Sequence, residues 1–212
     1  MEPFHFFTKM DQTLLLGVRA KNVGELLEGV KSVPDASIYY HTHRFLQQHH
    51  FLSPEPPNDF AHWVTEILND DSLGEKLSSV DIIQLNSIGE LRQRFVAIFE
   101  DHLAQDERNP ECPPGEEFHF MACRTFILPT HHVARNLREF RDILLRISIS
   151  SLYYHVFDAK LRLHGENDFS RWFHDSGLPE LAAQIRRLDP YTHTLEGLRK
   201  RILVLTKAYD SH

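Results

Sequence analysis

Ser37-Ile38-Tyr39-Tyr40-His41 recurs 114 residues later as Ser151-Leu152-Tyr153-Tyr154-His155. The same offset carries Phe4-His5-Phe6 onto Phe118-His119-Phe120, and Asn22 and Glu25 onto Asn136 and Glu139. Further along, Asn58-Asp59-Phe60 with Trp63 matches Asn167-Asp168-Phe169 with Trp172 at an offset of 109, and Leu91–Arg94 matches Leu198–Arg201 at 107. The shrinking offsets put a deletion in the Pro-rich stretch 53–57, where loops tolerate length changes. Ordered matches that include both tryptophans predict an internal repeat.

The expected fold is therefore mainly α, with internally duplicated helical units in a pseudo-twofold arrangement. Unit one spans 1–106, a Pro- and acid-rich linker spans 107–117, and unit two spans 118–212. The two units are expected to pack as one compact structure. Helices are predicted over 22–33 and 136–147, opened by the Asn-x-x-Glu spacing of a capping box. Others follow over 37–50 and 151–164, with Ser37 and Ser151 as cap candidates. Asn58 and Asn167 would cap the next helix, whose Phe60, Trp63, Val64, Ile67 and Leu68 form one apolar stripe. Shorter helices are expected at 72–79 and 178–187, and final ones at 87–104 and 194–208. The leading segments, 4–16 and 118–128, are aromatic-rich and partly alternating. They read as short strands or a hairpin at the start of each unit.

Composition narrows the function classes. The chain has 212 residues, a net charge of −7, two cysteines and 15 histidines. No apolar run approaches the roughly 20 residues of a membrane span, and no Lys/Arg-rich amphipathic helix suggests surface binding. The N-terminus lacks the basic and apolar regions of a signal peptide. Two cysteines without a CxxC pair fit a reducing cytoplasm. Charge is uneven: residues 1–106 carry −8, 107–117 carry −3 and 118–212 carry +4. The basic part has no aromatic-interleaved Lys/Arg stripe, so nucleic acid is not an expected partner. GxSxG and P-loop motifs are absent from the sequence.

Histidines offer the sharpest candidate site. His41, His43, His49, His50 and His62 fall within 22 residues, and neutral imidazole binds transition metals. On a regular helix His41 and His43 point about 200° apart, which weakens a shared metal. No cofactor is expected from any motif; a transition metal would have to use His41 and His155. The repeat favours a quieter set, Tyr40, His41 and Asp59 with Tyr154, His155 and Asp168. Across a pseudo-twofold axis these would form an acid/base pocket, with catalytic candidates His41, His155, Asp59 and Asp168 and ligand-binding candidates Tyr40, Tyr154, His43 and His62. The competing reading is structural: a buried histidine bonded to a carboxylate or a carbonyl leaves the same pattern, and Asn58 and Asn167 serve as helix caps with Asp59 and Asp168 at the helix dipole.

At the Ser37–His43 and Asn58–Trp63 stretches the chain resembles an uncharacterised bacterial and archaeal family, a domain of unknown function. Its members occur alone or attached to glycosyltransferase or trehalose-synthase-like enzymes. The resemblance implies a role beside carbohydrate metabolism and supplies no catalytic residues. The second unit departs from the pattern, with Phe157 in place of His43 and Arg171 in place of His62. Two functions are thus expected. One is a binding or regulatory module acting with a carbohydrate-active enzyme or a small polar ligand. The other is a small-molecule enzyme, metal-dependent if His41 and His155 hold an ion. Either is expected as a monomer or a homodimer.

Overall fold

A computed structural model describes residues 2–48, 57–82, 85, 87–105, 108–163, 165–188 and 194–209. His49, His50 and His164, and the Pro-rich loop up to residue 56, lie outside the described residues. The chain runs as strand β1 (Phe4–Ala20) and then helices α1 (Val23–Ser32), α2 (Asp35–Tyr39), α3 (Phe45–Gln48), α4 (Asp59–Glu66), α5 (Asp71–Ser78) and α6 (Ile88–Gln105). After strand β2 (Phe118–Ala134) come α7 (Leu137–Leu144), α8 (Ile149–Tyr153), α9 (Ala159–Arg162), α10 (Asp168–Asp175), α11 (Pro179–Arg186) and α12 (Leu195–Lys207). A π-helical turn joins α2 to α3 (Tyr40–Arg44), and another joins α8 to α9 (Tyr154–Asp158).

The expectation of a mainly α chain built from duplicated helical units is overturned. Helices take 57% and strands 18% of the structure, and the strands pair as a two-stranded antiparallel sheet, so the fold is α+β. Each strand is 17 residues long, beyond the segments the alternation marked. The physical reason lies in their exposure. Past Met10 and Arg124 both faces of the ribbon are largely open to water, so no in–out alternation marks them as strand. The partner of each strand is the other one, far along the chain.

The chain divides into two compact units. A terminal unit joins Met1–Met10 to Thr125–His212, and a central unit joins Asp11–His49 to Pro54–Arg124. Each unit therefore contains part of both strands. In the terminal unit Phe4 and Phe6 are buried against Phe140, Phe169 and Trp172, with ring centroids 5.4–6.2 Å apart. In the central unit Phe118 lies 5.4 Å from Phe60 and 5.8 Å from Trp63. Each such aromatic contributes about 1.5–3 kcal/mol by leaving water. Both indoles are anchored: Trp63 Nε1 donates to the Glu116 carbonyl (2.7 Å) and Trp172 Nε1 to the Glu2 carbonyl (2.8 Å).

Local chemistry sets the helix starts. Asn22 and Asn136 accept from the amides of Glu25 and Glu139, at 2.9 and 2.8 Å. The glutamates reach back one residue further than a capping box, to the amides of Lys21 and Arg135. Asn58 and Asn167 cap α4 and α10 as expected, accepting from Ala61 and Ser170. Ser37 and Ser151 are not caps. Their helices start earlier, after Pro34 and Ser148, because Pro34 has the extended φ/ψ of a cap position and the Ser148 hydroxyl accepts from the Ser151 amide.

Gly29 shows how closely β2 approaches α1. A Cβ there would lie 2.2 Å from Cε2 and Cζ of the buried Phe120 ring. Gly29→Ala gains about 1 kcal/mol of helix propensity, but the overpacking costs about 1–3 kcal/mol. A net loss of stability is expected, read as a lower urea midpoint with an unchanged m-value; a midpoint equal to or above wild type would contradict this packing.

Candidate functional site

Each π turn carries one of the paired histidines. His41 is 2% exposed, and its Nδ1 lies 2.7 Å from Asp59 Oδ2 at the first position of α4. His155 is equally buried, with Nδ1 2.8 Å from Asp168 Oδ2 at the start of α10. On the far side of each ring, Nε2 accepts a backbone amide at 2.9 Å, from Met121 of β2 for His41 and from Phe7 of β1 for His155. An Nε2 that accepts leaves the proton on Nδ1, where it is donated to the carboxylate. Both nitrogens of both rings are therefore engaged. In the terminal unit the Ser151 hydroxyl also donates to the Phe7 carbonyl (2.6 Å). Both backbone groups of Phe7 are thus bonded by side chains of one helical segment.

The surroundings favour the neutral form of the His155 ring. Burial pushes the His155 imidazole below its ordinary value, outweighing the pull of Asp168. Burial would raise Asp168, but the bonds from His155 and Arg162 outweigh it and hold the carboxyl below the usual range. Arg162 donates to Asp168 at 2.9 Å and lies over the Tyr154 ring, 4.4 Å from its centroid. Burial also raises the Tyr154 phenol.

Other candidates take separate places. His41, Asp59 and Tyr40 come together in the central unit, with the Tyr40 ring edge-on to His41 at 5.1 Å. His155, Asp168 and Tyr154 come together in the terminal unit, with the Tyr154 ring 5.0 Å from His155. His43 is buried and stacks on Tyr39 at 5.3 Å, its Nδ1 3.2 Å from the Thr42 hydroxyl. His62 is exposed on α4. Among the described residues, no three His, Cys, Asp or Glu side chains gather as a metal site.

Two side-chain contacts were not among the candidates above. Lys9, with a fully buried side chain, meets Asp158 at 2.6 Å, and its Nζ lies 4.8 Å from the Tyr153 ring centroid. Asp70 meets His102 at 3.3 Å on the central unit. The only signal for the first was a lysine breaking the alternation set by Phe4 and Phe6. The second joins residues of two helices and leaves no local trace.

The geometry defines an α+β protein in which histidines fasten strand amides to helix starts. The chain belongs to a family of unknown function, DUF5752, whose family model matches residues 1–207. It is similar to a solved structure, that of OrfY from Thermoproteus tenax, at 29% identity and a TM-score of 0.82. The match covers 100% of this chain and 97% of that one. No curated protein matches the chain. No helix among the described residues is long and apolar enough to cross a membrane.

The depressed His155 value has a definite pH signature. Unfolded chains take up a proton near 6.5, whereas the folded ring does so at a lower pH. The contribution is complete above 6.5 and is lost as pH falls below it toward the folded value. Asp168 adds a second loss below 3.8. Urea midpoints measured downward from neutrality are expected to fall more steeply for wild type than for His155→Gln between pH 6.5 and 5. Parallel slopes would show that this ring does not resist protonation.

Proposed function

We propose that the protein is a non-catalytic binding module that acts beside an enzyme of carbohydrate metabolism. The observation that carries this reading is the double engagement of His41 and His155. A general base or a metal ligand needs a ring nitrogen to offer. Here each ring spends one nitrogen on a carboxylate and the other on a strand amide. Acid/base use of either ring would break the contact that holds a strand in its unit. The resemblance in the Ser37–His43 and Asn58–Trp63 stretches, to a family found alone or attached to glycosyltransferase-like enzymes, supports the carbohydrate half of the reading.

The test pairs the purified chain with any sugar-transferring enzyme encoded beside it. Co-elution and a change in that enzyme's rate or substrate affinity are expected. Absence of both would discard the proposal. His41→Ala is expected to cost about 3 kcal/mol or more in stability, because it leaves a cavity and strands both a carboxylate and a buried amide. Full stability with lost function would instead favour chemistry at the ring.

A further inference from the structure

We propose that the central unit binds a neutral polyhydroxylated small molecule, of the sugar or polyol class, in the groove beside the Asp70–His102 pair. The groove has a volume of about 1010 Å³ and is formed by α5, the end of α6 and the segment leading to β2. That is the size of a small-molecule site.

Its polar groups are fixed in place. Asp70 Oδ1 caps α5 by accepting the Leu73 amide at 2.9 Å, which leaves Oδ2 to face His102 Nε2 at 3.3 Å. Asn109 Oδ1 accepts the Gly24 amide of α1 at 3.2 Å. A groove whose walls are held this way has less side-chain entropy to lose on binding.

The lining chooses the ligand. Its formal charges have both signs, Asp70 and Asp71 against Lys76 and Arg108, so it selects neither an anion nor a cation. Asn69, Gln105 and Asn109 add side-chain amides, each bonded once within the protein, to Ile67, Asp101 and Gly24, and each with further donor and acceptor capacity. Hydroxyl groups, which also do both, match such a surface. Leu68, half-buried, supplies apolar area for the C–H face of a ring.

Helix packing does not require the imidazole–carboxylate pair. The terminal unit also packs α11 against α12, and there the residue before α11 is Leu178, with no side-chain cap. The polar lining is thus a property of this groove. The proposal rests on the binding-module reading but needs no partner protein.

Saturation-transfer NMR on the isolated full chain tests it. Glucose, maltose and myo-inositol serve as neutral probes, with acetate and methylammonium as charged ones. Transfer to at least one neutral probe and to neither charged probe is expected. His102→Ala is expected to weaken that binding about tenfold, with an unchanged circular dichroism spectrum. Gln105→Ala, at an exposed position, takes its place should His102→Ala lose its fold. No transfer to any neutral probe, preference for a charged one, or undiminished transfer in the folded variant overturns the proposal. Because no partner is present, a failure here is separate from failure of the co-elution assay.

Discussion

The backbone amide of Phe7 finds its acceptor on an imidazole 148 residues further along the chain. Met121 does the same with His41, 80 residues back. A two-stranded sheet has only edges, and a buried edge amide without a partner costs about 1–3 kcal/mol. The histidines remove that cost, and the carboxylates of Asp59 and Asp168 select the tautomer able to do so. Those carboxylates sit at the first positions of helices whose Asn58 and Asn167 caps fix where the helices begin. Cap, carboxylate, imidazole and strand amide form one chain of dependence in each unit. The phenylalanines that fill each core are positioned by it.

This dependence explains why Tyr-Tyr-His and Asn-Asp stood out in the sequence. His43 stacks inside the central unit and His62 faces water. The helix starts at Asn22, Asn58, Asn136 and Asn167 were legible because a cap is local: one side chain and one amide three residues on. The partnership of His41 with Asp59 was legible only as two persistent motifs, not as a contact. What could not be read was the extent of the strands. Residues beyond Met10 and Arg124 bury neither face consistently, so periodicity carries no message there. The π turns were equally hidden, since an inserted residue alters hydrogen bonding without altering composition.

The two histidine joints share distances but not surroundings. Arg162 adds a cation at Asp168, lying over the Tyr154 ring, and Ser151 adds a second bond to the captured strand. The buried charges differ too. In the terminal unit a strand lysine, Lys9, meets a helical aspartate, Asp158; in the central unit a strand aspartate, Asp11, meets a helical arginine, Arg44, at 3.6 Å.

The division of β1 also bears on the order in which the protein is made. Its first stretch, Phe4–Met10, belongs with a unit whose other described residues begin at Thr125. During synthesis Phe4 and Phe6 emerge before the central unit, yet the aromatic rings that bury them are translated after it. The central unit, by contrast, has all its residues once Arg124 has left the ribosome. That strand segment must therefore wait, with apolar side chains uncovered, until the residues from Thr125 onward are made. Long-range closure of that kind slows folding and leaves an interval open to wrong pairing. Translation from the N-terminus thus supplies the central unit whole before it supplies the terminal one.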